Sequence, residues 1–128
     1  MLESTLRSLI PSVANTFEKL TPDREPYHFD RWADGAFYYR VSRQANGVWN
    51  KKRVKVSEIR PALGRLRRSG QFTRSDFQEF CPVTRSDGDC GFCVVVRILE
   101  LLGVAKFSGR GLGIRLVDRQ RADNLLAT

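Results

Sequence analysis

The sequence predicts an α+β domain, and three observations carry that prediction. Apolar residues recur at three- and four-residue spacing from Leu2 to Leu20, the mark of one helical face. The period drops to two around Phe37–Val56, on both sides of an Asn46-Gly47 pair. From residue 57 onward, helical stretches lead into two short β-like runs joined by a Gly-rich turn. At 128 residues the chain has room for one core, so a single domain over 1–128 is expected. Hydrophobic residues at 41% and charged residues at 28% are a globular mix, which excludes disorder as the overall state.

Taken in order, Leu2, Leu6, Leu9, Ile10, Val13, Phe17 and Leu20 predict an N-terminal helix over 1–20, with Pro11 either kinking it or marking its start. Pro22 and Pro26 make 21–27 a loop. A β-hairpin is expected over 36–56: Phe37, Tyr39 and Val41 alternate with Tyr38, Arg40 and Ser42, and Val48, Val54 and Val56 share one parity after the turn. The opposite parity of the second strand carries Trp49, Lys51, Arg53 and Lys55, an aromatic and three cations on one face. A helix follows from Ser57 or Arg60 to Ser69, with Leu63 and Leu66 inward and Gly70 as its stop. Thr73 with Asp76 three residues on reads as a capping box opening a short helix over 74–80, which Cys81-Pro82 ends. A turn over 83–88, a third helix over 89–102 closed by Gly103, and strands at 104–107 and 113–117 complete the series. The tail, 118–128, has room for one or two helical turns.

Twenty-two Lys and Arg against fourteen Asp and Glu give a net charge of +8, and seventeen of the cations are Arg. Lys51, Lys52, Arg53, Lys55, Arg60, Arg65, Arg67 and Arg68 face one acid, Glu58, so the stretch from 51 to 68 holds +7 of that +8. A patch so concentrated marks an anionic partner, and an arginine excess favours forked contacts to phosphates or guanine edges. No apolar run approaches the ~20 residues of a spanning helix. Glu3 and the charge-broken apolar face of the first residues are unlike a signal peptide. A soluble, cytoplasmic protein with no membrane partner is the expectation. Cys81, Cys90 and Cys93 are odd in number, so no disulfide framework is expected.

The segments TRSDFQEF (73–80), PVTRSDG (82–88), CGFCVVVRILELLGV (90–104) and KFSGRGLGIRL (106–116) together resemble the winged helix-turn-helix superfamily over about residues 57–117. The resemblance lies in the order of elements, and many functions share it. It implies a winged-helix core with an added N-terminal helix and hairpin, whose third helix offers its N-terminal end to the DNA major groove. Carried onto this chain, Thr84, Arg85 and Ser86 stand at the entry of that helix, Arg110 at the wing tip and Arg115 on the wing strand. With Lys51, Lys52, Arg53, Lys55, Arg65, Arg67 and Arg68 they form the expected DNA-binding set. The expected function is non-catalytic double-stranded DNA binding, as a small transcription regulator or a target-recognition module, with no cofactor.

Two features run against a simple groove reader. Asp87 and Asp89 put negative charge beside the helix entry, where capping is their ordinary role. Beyond its first turn the third helix is apolar nearly all round, so only that turn could reach a groove. Its surplus apolar surface, with the Leu2–Leu20 face, raises the expectation of a homodimer. A winged-helix module for protein–protein interaction is the alternative function. Cys90 and Cys93 at a helix start offer a thiol-redox or zinc reading, set against small buried core cysteines. His28 with Asp30 and Asp34 falls in a stretch expected as loop and lacks the rest of a nuclease motif.

Overall fold

Pro11 ends the first helix. A computed structural model describes residues 2–21, 24–43, 46–109 and 113–127, and in it α1 covers Leu2–Leu9. A proline has no N–H to donate and its ring crowds the preceding turn. The apolar spacing beyond it serves other structure: Val13 is 68% exposed, while Phe17 is buried in a two-residue strand, β1 (Thr16–Phe17). The helix expected over 1–20 is corrected to fewer than half those residues.

β2 (Tyr27–Ala33), β3 (Ala36–Arg43) and β4 (Trp49–Lys55) join β1 in an antiparallel sheet of order β1-β2-β3-β4. Asp34 and Gly35 link β2 to β3 with φ of 53° and 71°, the left-handed pair that a two-residue hairpin turn demands. The stretch expected as loop around His28 is therefore a strand. The β3–β4 hairpin stands as expected, with Val54 buried, whereas Val48 precedes the strand and is exposed.

A 3-10 turn at Val56–Glu58 feeds α2 (Ile59–Ser69), which buries Ile59, Ala62, Leu63 and Leu66. Gly70 ends it at φ 78°, its N–H closing on the Leu66 carbonyl at 2.8 Å. β5 (Gln71–Phe72) follows, then α3 (Arg74–Phe80) behind the expected capping box. The Asp76 N–H donates to Thr73 Oγ1 at 3.2 Å, and the Thr73 N–H donates to Asp76 Oδ2 at 2.9 Å. Where a turn was expected, Pro82 starts a further short helix, α4 (Pro82–Ser86). α5 (Cys90–Leu101), β6 (Ala105–Phe107), β7 (Ile114–Leu116) and α6 (Arg119–Leu126) complete the chain. The second sheet has the order β5-β7-β6, all antiparallel. The fold is α+β.

α5 packs against β1 and β4 of the first sheet and against β6 of the second. Val94, Val95, Val96, Ile98 and Leu99 are wholly buried. At about 2 kcal/mol for each such side chain, drawing α5 out of the core would forfeit roughly 10 kcal/mol, the scale of a whole domain's stability. Leu2, Leu6 and Ile10 of the N-terminal segment belong to the same buried cluster. Most of the apolar side chains behind the homodimer expectation are thus buried inside one chain, with Val13 left exposed. Among the described residues, no helix is long and apolar enough to cross a membrane.

Candidate nucleic-acid interface

Cross-strand register sorts the sheet's side chains into two faces. Phe37 pairs with Val54 and Tyr39 with Lys52; Phe37, Val54 and Tyr39 are wholly buried, which makes theirs the inner face. The intervening rows are outward: Arg31–Tyr38–Arg53, then His28–Arg40–Lys51. Cations and aromatics interleave there. The Arg31 guanidinium lies 4.6 Å from the Tyr38 ring centre, and that of Arg40 lies 5.4 Å from Trp49. The Nε of Arg40 is buried and has no hydrogen-bond partner among the described residues. Asp30, at the β-bulge of β2, is the acid set among these cations, 3.0 Å from Arg31 and 3.4 Å from Lys51.

β4 is an edge strand, and its free N–H groups are capped from the side. The Arg53 N–H donates to Asp87 Oδ2 and the Lys55 N–H to Thr84 Oγ1, each at 3.0 Å. α4 is held in place for this by Glu58. Its buried carboxylate accepts from the Val83 and Thr84 N–H groups, each at 2.8 Å, and from the Thr84 hydroxyl at 2.7 Å. Three donors offset the cost of burying that charge. Asp87, which looked like a repulsive charge at a groove, is turned onto β4, where it also meets Arg53 Nε at 3.5 Å.

This arrangement redistributes the expected site residues. Lys51, Arg53 and Lys55 share the outward parity of β4. Lys52, of the opposite parity, lies on the inner face opposite Tyr39, where a Cβ placed on Gly88 would lie 2.6 Å from its ammonium. Thr84 is wholly buried and holds β4, so it is no surface contact. Arg85 and Ser86 are exposed, with Arg85 in a loose 3.9 Å pair to Asp89. Arg65 is engaged with Asp76 at 3.0 Å and Arg67 with Asp123 at 2.6 Å, tying α2 to α3 and α6. Hydrogen bonding to Arg67 holds the Asp123 carboxyl below its ordinary range and raises the guanidinium in return. Arg68 is exposed, 5.9 Å from the Phe80 ring centre. Arg115 is exposed on β7 beside Lys106 and Gln71. Arg110 lies outside the described residues. Sequence reasoning missed Arg31 and Arg40 as members of the face; the Asp34-Gly35 pair was the signal that a strand precedes β3.

Comparison with protein-family models, curated proteins and solved structures finds no match to this chain. Among the described residues, no three of His, Cys, Asp and Glu gather where they could hold a metal ion.

Proposed function

We propose that the chain binds double-stranded DNA without catalysis, as a small regulator or the recognition part of a larger system, and that the outward face of the four-stranded sheet meets the phosphates. The observation behind this reading is the pair of rows holding Arg31, Arg40, Lys51 and Arg53 on one face. Guanidinium forks suit phosphate oxygens, and such contacts set register without reading sequence. A winged-helix arrangement of the C-terminal half is supported by its connectivity, α2–β5–α3–α4–α5–β6–β7 with sheet order β5-β7-β6, in which α4 stands where a turn would join the two helices. In that relation α5 is the helix due to enter a groove, and its burial argues against it. Base reading falls instead to the exposed Arg85 and Ser86 of α4.

The test is fluorescence anisotropy on duplexes across a salt series. Four phosphate contacts predict a log–log slope of roughly −3 to −4. Arg85→Ala should cost about 1–3 kcal/mol on a preferred site and relax its preference. Binding that ignores salt, or no binding to any duplex at low salt, would overturn the reading.

A further inference from the structure

A cleft of about 340 Å³ opens beside the start of α5, bounded by Lys19, Arg24, Tyr27 and Arg74, with Cys90 and Cys93 in its lining and Asp89 as its acid. The two thiols differ in setting. Cys90, the first residue of α5, is partly exposed, and its sulfur accepts a hydrogen bond from the Tyr39 hydroxyl at 3.8 Å. A Cβ placed on Gly88 would touch both the Lys52 ammonium, at 2.6 Å, and the Cys90 sulfur, at 3.8 Å, so that cation stands close to the thiol. Cys93 is buried one turn further on, its S–H donating to the Glu18 carbonyl at 3.1 Å. Residues three apart on a helix have Cα atoms about 5 Å apart, inside the span a disulfide bridges.

We propose that Cys90 and Cys93 are a dithiol modification site that a small anionic disulfide, of the oxidised-glutathione class, closes into an intrahelical bond. Lys19, Arg24 and Arg74 draw the reagent's carboxylates into the cleft, which sets it against the accessible sulfur. Cys90, as thiolate, attacks one sulfur of the reagent; that S–S bond breaks, one small thiolate leaves and takes up the proton Cys90 gave to solvent. Cys93 then loses its proton and attacks the Cys90 sulfur of the mixed disulfide, expelling the second small thiol. Two protein thiols become one disulfide, and two electrons with two protons pass to the reagent. The fold tolerates closure, because the Glu18 carbonyl that Cys93 releases still accepts from Arg97 Nε at 2.8 Å. Cys81 takes no part: it is buried against the Glu58 carbonyl, and burial pushes its thiol up to about 12.

The experiment treats the full chain with oxidised glutathione and follows intact mass, with differential alkylation to map the sulfurs. The expected product lacks the mass of two hydrogens and joins Cys90 to Cys93. Cys93→Ser should stop at one glutathione adduct on Cys90, and Cys90→Ser should take up none at a comparable rate. A stable adduct on the unsubstituted chain, a linkage through Cys81, or inert thiols would each overturn the proposal. The mapping on the unsubstituted chain decides the matter even where a serine variant folds poorly.

Discussion

The arginines of α2 and the cations of β4 come from one basic stretch, yet the fold treats them in opposite ways. Arg65 and Arg67 are drawn onto carboxylates 11 and 56 residues further along the chain, at 3.0 and 2.6 Å. Lys51 and Arg53 stand on an outward face, where β2 and β3 add Arg31 and Arg40. The acids near them, Asp30 at 3.4 Å and Asp87 at 3.5 Å, stand farther off than the carboxylates on Arg65 and Arg67, which makes these the looser pairs. A run of positive charge becomes a binding surface only once the acids have been placed. Part of this run ties helices together, and part stays on the outward face of the sheet.

The largest expected effect is at the joint between the two halves. Glu58 follows β4, precedes α2, and holds α4 through three donors, two buried and one part-buried. Glu58→Ala leaves those donors without a partner at about 1–3 kcal/mol each, so a loss of about 3 kcal/mol or more is expected. In urea the midpoint should fall with the slope unchanged. A neutral result would mean that α4 is fixed to the sheet by other contacts, and that Asp87 and Thr84 cap β4 without help from Glu58.

The comparison itself is sharpened by one pair of variants measured on the same duplex. Lys51→Ala should weaken every sequence about equally and lower the salt slope by about one. Arg65→Ala should leave affinity and slope where they were, while losing some stability as Asp76 gives up a partner. Equal effects on binding would show that α2 also faces the phosphates, and the division between paired and outward cations would fail.

Much of this was legible in the residues. Gly70, the Thr73–Asp76 box, the Asn46-Gly47 hairpin and the short strands after Gly103 are local signals, and each resolves within a few residues. What was hidden is long-range. Val13 and Phe17 continued the helical spacing past Pro11, and periodicity alone cannot separate a helix from residues that later join a strand. His28–Ala33 carries three apolar residues, Phe29, Trp32 and Ala33, out of step with a simple alternation, because the bulge at Asp30 shifts the register. Arg31 and Arg40 were therefore absent from the expected site. No local pattern links Arg67 to Asp123, or Thr84 to Glu58 and the β4 edge; those partners are chosen by packing.

The smallest expected effect concerns pH and the Arg67–Asp123 pair. The hydrogen bond from Arg67 lowers the Asp123 carboxyl from its ordinary 3.8, so the folded chain keeps this proton off more readily than the unfolded chain does. The pair's contribution is thus full above about pH 4 and fades as pH falls through the lowered value. Both side chains are more than a third exposed, 35% and 44%, which keeps the effect modest and sensitive to salt. Asp123→Asn should lower the melting temperature slightly near neutrality, with the gap closing as the solution is acidified toward about pH 2. Were the gap to persist unchanged at low pH, charge would not be what binds α6 to α2 here. Arg67 would then count among the outward cations, and its removal should lower the DNA salt slope just as that of Lys51 does.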